Sequence, residues 1–283
     1  MPRIHKLNSA LIDQIAAGEV IDRPASVLKE LIENSLDSGA NIIEVQIING
    51  GHDSIQVTDN GSGMNSKDLR LAFQRHATSK IQNIKDLSNI NTLGFRGEAL
   101  PSIASVSKLW ARSSTENNIC SEIKIHGSKE KVFGPATGLK GSTFKIQNLF
   151  YNTPARRKFL KKQSTEQAFI HKVMRRFMYS RPSVSFKMIS NTKIVYDVPE
   201  QDLSNRIISI NGSAVDKYLL PVKMTKTPYN ITGYIGNLSM VKKRQGEQYL
   251  FLNGRYIQSR LLNSAIYSAY QSIIKRGEYP FFT

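Results

Sequence analysis

The chain has 283 residues, with 39 Lys plus Arg against 22 Asp plus Glu, a formal charge of +17. With 40% apolar residues, 18 Gly and 10 Pro, the composition excludes a disordered, self-solvating chain and suffices for two domains of ~100–200 residues each. The lone Cys120 excludes a disulfide framework and a cysteine zinc quartet, and no stretch reaches the ~18–20 apolar residues that span a bilayer, so a cytoplasmic protein without membrane attachment is expected.

In chain order, Asn8 or Ser9 caps a first helix, Leu11 to Ala17, that stops at Gly18. A second helix carries Pro24 in its first turn and Gly39 at the C′ position. Strands Ile42–Ile48 and Ser54–Thr58 flank Asn49-Gly50-Gly51-His52 and read as a hairpin. After Asp59–Gly63 come a helix, Ser66–Gln74, and a long polar stretch to about Asn91 with the character of a loop or lid. Gly97–Ser105 forms a further helix, followed by strands at Lys108–Ser113, Ser121–His126 and Thr143–Gln147. Cys120 is expected in the core or a strand. Helices Ala155–Leu160 and Gln163–Tyr179 and strands Val184–Ser190 and Ile194–Val198 lead to Pro199-Glu200-Gln201-Asp202, which divides the chain into residues 1–200 and 201–283. Beyond it lie strands Tyr229–Ile235 and Gln248–Leu252, a helix Ser259–Ile274, and the start of a strand at Tyr279–Thr283.

The charge is unevenly placed: residues 1–100 carry 10 basic and 12 acidic side chains, residues 101–283 carry 29 and 10. Pro154 to Lys187 is densest, with 10 basic residues against the single acid Glu166, a pattern suited to polyanion binding. On the second helix, at ~100° per residue, Glu30, Glu33, Asn34 and Asp37 share a face that is entirely acid or amide, while Val27, Leu28, Leu31, Ile32 and Leu36 take the other. Such a face suits a hard divalent cation shared with phosphate oxygens, or a plain solvated surface. Asp59-Asn60-Gly61-Ser62-Gly63-Met64 follows a strand directly; it suits a tight turn, or a carboxylate that accepts from an amine where glycines allow close approach. Gly94-Phe95-Arg96-Gly97-Glu98-Ala99-Leu100 places glycines and an arginine at a helix start, where free amides favour phosphate, although the Gly-Lys-Ser/Thr ending of a P-loop is missing.

Taken in order, Glu30–Asp37, Asp59–Met64, Ala77-Thr78-Ser79-Lys80, Gly94–Leu100 and Gly141-Ser142-Thr143 resemble the nucleotide-binding boxes of the gyrase, heat-shock chaperone, histidine kinase and MutL ATPase superfamily. The runs Gln14–Val20, Arg23-Pro24-Ala25-Ser26, Phe150–Leu160 and Leu252–Tyr256 resemble signature runs of the MutL family of DNA mismatch-repair ATPases, and with them the resemblance covers nearly the whole chain. It implies an α+β fold: a two-layer α/β sandwich of the Bergerat nucleotide-binding type, then a smaller, incomplete βαβ-type, transducer-like second domain. It implies ATP and Mg²⁺ as cofactors. Glu30 would be the general base that polarises water for attack on the γ-phosphate, and Asn34 the Mg²⁺ ligand. Asp59 would recognise the adenine amino group, with Gly61 and Gly63 admitting the base and Thr143 adding a contact on the adenine side. Thr78, Ser79 and Lys80 would line the pocket, while Gly94, Arg96, Gly97, Glu98, Ala99 and Leu100 wrap the phosphates.

The same resemblance implies an ATP-ordered lid at Ile81–Leu93, an N-terminal arm before about Glu19, and ATP-dependent self-association. DNA would run along a face containing Arg156, Arg157, Lys158, Lys161, Lys162, Arg175 and Arg176, and a MutS-type mismatch sensor would be the partner. In MutL proteins a lysine reaching the γ-phosphate follows beyond the equivalent of Thr283, so slow ATP hydrolysis is expected of these residues. The alternative is a non-catalytic DNA- or partner-binding remnant that keeps the ATPase fold as scaffold. Histidine phosphotransfer has no support in the settings of His5, His52, His76, His126 and His171.

Overall fold

The computed structural model describes residues 17–81, 83, 85, 86, 92–94, 96–117 and 119–283. These form two units, one comprising the chain up to Val173 with Ser185–Asp197, the other Met174–Val184 with Val198–Thr283.

The first unit is built on a helix and a hairpin. Pro24 opens α1 (Pro24–Asp37), Ser38 caps it, and Gly39 at φ +77° turns the chain out, as the sequence predicts. The chain then enters β1 (Ile42–Ile48), which pairs antiparallel with β2 (Ser54–Asp59) around the turn Asn49–Gly51. Helix α2 (Ser66–Leu71) is capped by Asn65. Helix α3 (Ala99–Ser105) leads into β3 (Lys108–Glu116), β4 (Ile119–His126), β5 (Lys129–Ala136) and β6 (Gly141–Gln147). Helices α4 (Pro154–Lys158) and α5 (Gln163–Ser180) follow, then β7 (Ser185–Ser190) and β8 (Lys193–Val198).

The eight strands lie in the order β5-β4-β3-β6-β2-β1-β7-β8, with β1 and β7 parallel and β2, β3, β4, β5 and β6 joined antiparallel. Alternation divides the sheet into two faces. Ile43, Val45, Ile47, Ile55, Val57, Leu109, Ala111, Phe144, Ile146, Phe186 and Met188 are buried, together with Val27, Leu28, Leu31 and Ile32 of α1. Gln56, Trp110, Arg112 and Lys145 on the other face remain half-buried. The layer is therefore covered on one side, the expected two-layer sandwich. Cys120 is buried in β4.

The second unit begins its own run with α6 (Leu203–Asn211), capped by Asp202. Strands β9 (Leu219–Lys226) and β10 (Tyr229–Gly236) form a hairpin, and β11 (Leu250–Leu252) and β12 (Arg255–Ile257) a second. After α7 (Arg260–Tyr270) the chain returns in extended form and makes isolated bridges rather than a strand. Phe282 bridges antiparallel to Ile235 and parallel to Gln248, and Phe281 and Phe282 are buried. The expected βαβ element is represented among the described residues by this one parallel bridge, Gln248 to Phe282, on either side of α7.

Several boundaries differ from the sequence reading. Residues 17–20 are helical and Ile21 N–H donates to Ala17 O at 2.9 Å, so Gly18 does not end the first helix; its earlier part lies outside the described residues. Most of the expected lid and the arm also lie outside them. Strands β5, β9 and β12 and helix α6 are additions.

Candidate functional site

The acid face of α1 exists, but reading it as wholly acid and amide is incomplete. Lys29 Nζ donates to Glu30 Oε1 at 2.9 Å and to Glu33 Oε2 at 3.0 Å. Burial works against the Lys29 charge, yet the two carboxylates outweigh it and raise its pKa. Burial also pushes the Glu33 carboxyl up, against the pull of Lys29 and with added repulsion from Glu30 and Asp37.

One turn on, Lys80 Nζ donates to Asn34 Oδ1 at 2.9 Å and to Asp37 Oδ2 at 2.6 Å. Asp37 also accepts from the N–H of Leu93 at 2.8 Å and of Gly94 at 3.2 Å. Three sequence-distant boxes thus meet at the C-terminal end of α1, with Asp37 as the hub.

Asp59 lies at the end of β2 and is 8% exposed. Its Oδ2 accepts from Ser35 Oγ at 2.8 Å, and its Oδ1 from the N–H of Gly61 at 3.0 Å and of Ser142 at 3.3 Å. Burial raises its pKa, while these three donors stabilise the ionised form and partly offset the rise. The glycines beside it are sterically required. Gly63 adopts φ +67°, and a Cβ there would collide with the Ser114 carbonyl; one on Gly61 would strike Ser38. Thr78 Oγ1 accepts from the Lys80 N–H at 3.2 Å, and Ser79 is exposed. Gly97, at φ +64°, sits too close to the Ala77 carbonyl for any side chain, which joins the 77–80 and 94–100 boxes. Glu98 precedes α3 as its N-cap residue, Ala99 and Leu100 form its first turn, and Arg96 is exposed.

Thr143 is not on this side. It pairs with Thr58 and Arg112, on the sheet face opposite Asp59, because neighbouring residues along a strand point to opposite faces. The neighbour in register with Asp59 is Ser142. Ser35 and Ser142 are the contacts that the sequence reading missed. Ser35 lies one helical turn beyond Leu31 on the buried face of α1, and Ser142 is two residues before the core position Phe144, so periodicity carried both signals.

The basic candidates divide. Arg156 donates to the carbonyls of Ala17 and Ile21 and stacks on Phe150 at 4.4 Å, with burial lowering its pKa, so its cation is held inside the first unit rather than offered to a ligand. In the second unit, Arg175 pairs with Glu247 at 2.5 Å and Arg176 stacks on Tyr256 at 3.9 Å. Arg157, Lys158, Lys161 and Lys162 are exposed in one stretch.

Two family profiles match: residues 22–147 fit the Histidine kinase-, DNA gyrase B-, and HSP90-like ATPase family, and residues 207–283 the family described as DNA mismatch repair protein, C-terminal domain. A DNA mismatch repair protein MutL from Porphyromonas gingivalis is 42% identical across 98% of this chain and 45% of its own length. The chain belongs to the MutL family. It spans less than half the length of the curated MutL relatives it matches. An Aquifex aeolicus MutL ATPase domain complexed with ADP superposes at a TM-score of 0.66, with 26% identity, over 93% of this chain and 92% of that one. The N-terminal domain of a DNA repair protein shares the fold at a TM-score of 0.82, with 22% identity, over 95% of this chain and 84% of that one. Among the described residues, no helix of this MutL-family chain is long and apolar enough to cross a membrane.

Proposed function

We propose that this MutL-family chain is the ATP-binding, slowly hydrolysing module of a DNA mismatch-repair protein, with residues 1–200 as its nucleotide domain and 201–283 as its transducer-like part. One observation carries the reading most: a buried Asp59, fixed by three donors, beside glycines whose backbones pack directly against Ser38 and Ser114. An ionised carboxylate there accepts from an exocyclic amine and rejects a base that presents a carbonyl at that position. The Aquifex relative that binds ADP through the same fold supports it.

The phosphate end follows from the same frame. Asn34 and Lys80 would take the phosphates' side of the site, joined by Thr78, Ser79 and the Gly94 to Leu100 backbone, and Ser142 would replace Thr143 beside the adenine. Among the described residues no three His, Cys, Asp or Glu side chains gather as a metal site. Asn34 Oδ1, which accepts from Lys80 Nζ at 2.9 Å, would be the one protein oxygen to hold Mg²⁺ beside the phosphates. Magnesium bound there supplies charge neutralisation across the phosphates. Glu30 is the general base: its carboxylate accepts the proton of the attacking water, and Lys29, donating to it at 2.9 Å, orients it. ATP would order the lid and arm and promote self-association; the exposed Arg157, Lys158, Lys161 and Lys162 would carry non-sequence-specific DNA contacts; and a MutS-type sensor would be the upstream partner in the cytoplasm.

The test is radiometric ATP hydrolysis by the parent and Glu30→Ala, with binding of a non-hydrolysable analogue measured in parallel. The reading predicts hydrolysis lost at least ~100-fold with binding retained, since a positioned base contributes ~10²–10⁴. Equal rates would remove Glu30 from the mechanism.

A further inference from the structure

The sheet face turned away from Asp59 carries a second constellation that the nucleotide reading does not use. Register places Trp110 of β3 directly between Lys145 of β6 and Lys124 of β4. Lys108 and Arg112 stand two residues either way on Trp110's own strand, pointing to the same face. Four cations therefore surround one indole, at spacings of ~4.8 Å across strands and ~6.6 Å along them. They line an open cleft of about 680 Å³ with Thr58, Thr143 and His126. Among the described residues none of the four cations pairs with a carboxylate; Lys108 lies over the Tyr151 ring at 5.6 Å, and Arg112 donates to the Thr137 carbonyl at 3.0 Å with its guanidinium 6.0 Å from the Trp110 ring, which leaves Lys124 and Lys145 as the least committed. The nearby acid, Glu122, accepts instead from Trp110 Nε1 at 2.8 Å, which fixes the indole and uses up its donor. Burial, then Lys108 and Lys131, lower the His126 pKa, a further mark of the positive field here.

We propose that this outer sheet face binds single-stranded nucleic acid, one base stacking on Trp110 and the flanking phosphates engaging Lys108, Arg112, Lys124 and Lys145. A cationic surface tracks phosphates without regard to sequence, and an immobilised aromatic at its centre supplies stacking of ~1–3 kcal/mol per base. A duplex keeps its base faces covered and offers Trp110 nothing; an acidic polypeptide would use the cations but leave the indole idle. The site is separate from the Arg157–Lys162 stretch and lies across the sheet from Asp59, so it stands or falls independently of ATP binding.

Trp110 is the single tryptophan of the chain and reports its own site. The 283-residue chain is titrated with a fluorescein-labelled thymidine 12-mer, following tryptophan emission and probe anisotropy together. The proposal predicts saturable quenching that tracks anisotropy. Lys124→Gln/Lys145→Gln lowers the slope of log K against log salt by about 1.4, at ~0.7 per phosphate of a single strand, which is a loss of about 25-fold at 0.1 M salt. Arg157→Gln/Lys158→Gln and Asp59→Asn leave the quenching in place. Far-UV circular dichroism and unliganded Trp110 emission establish that each variant is folded. Anisotropy rising without quenching would place the strand elsewhere and overturn the proposal. So would quenching unchanged by the double substitution, quenching by polyglutamate but not by the oligonucleotide, or no binding in either channel.

Discussion

Replacing Asp37 by Ala should release the segment at residues 93 and 94 without unfolding the sheet. Asp37 is 7% exposed at its side chain and accepts three donors, from Lys80 at 2.6 Å, Leu93 at 2.8 Å and Gly94 at 3.2 Å. Hydrogen bonds to a charged acceptor contribute ~1.5–3 kcal/mol each, and the lower figure applies where water can replace the partner. Leu93 and Gly94 are only half-buried, so two lost bonds amount to about 3 kcal/mol of local opening, roughly 100-fold in amide exchange. Lys80 keeps its bond to Asn34, which limits the global loss. Asp37→Asn retains one acceptor oxygen and should give about 10-fold. Hydrogen–deuterium exchange resolved to Leu93 and Gly94 measures this directly. Exchange within threefold of the parent in the Ala variant would refute Asp37 as the tie between α1 and this segment.

Further expectations follow from named contacts. Arg206 is fully buried in the second unit, where it donates to the carbonyls of Pro182 at 2.9 Å, Val184 at 2.8 Å and Pro199 at 2.7 Å; burial pushes its pKa down to about 10. Arg206→Met strands three carbonyls and should cost about 3 kcal/mol or more in urea unfolding, whereas a loss under ~1 kcal/mol would mean that water or relaxation satisfies them. The Asp59 carboxyl has a folded pKa above its ordinary 3.8, so the folded state holds the proton more tightly and stability falls as pH rises from 3.8 through the raised value. Asp59→Asn should therefore melt at or above the parent at pH 7, with the advantage vanishing below the ordinary carboxylate value; a variant less stable at pH 7 than at low pH, relative to parent, contradicts this. Arg156→Ala should loosen residues 17–21, seen as faster amide exchange at Ile21, and leave DNA affinity within about twofold; a large affinity loss with unchanged exchange would restore Arg156 to the DNA surface.

Much of the first unit is legible because its elements are amphipathic. The run from Pro24 to Gly39 carries an apolar stripe, a proline start and a glycine stop, and β1 alternates against a buried core, so their limits follow from periodicity and punctuation. β5 and β9 leave no such trace: most of their residues are exposed, so no burial alternation marks the sequence, and β9 contains Pro221. α6 was within reach, since Asp202 caps it and Ile207 and Ile210 face inward. At the site, box order shows which residues converge, but not which face a strand residue takes. Register decides that, and it replaces Thr143 with Ser142. Nor does charge density distinguish a free cation from a committed one: Arg156, Arg175 and Arg176 count toward the basic run, yet each is engaged with a carbonyl, a carboxylate or a ring.

The most direct measurement is isothermal titration of the 283-residue chain with a non-hydrolysable ATP analogue, with and without Mg²⁺, beside Asn34→Ala and Asp59→Asn. The account predicts magnesium-dependent binding that Asn34→Ala weakens only in the presence of the metal. Asp59→Asn loses at least ~10-fold in both conditions, because a charged acceptor worth ~1.5–3 kcal/mol becomes a donor. A folded parent that binds no nucleotide, or an Asp59→Asn variant that binds as tightly as the parent, would contradict it and leave the fold as a scaffold.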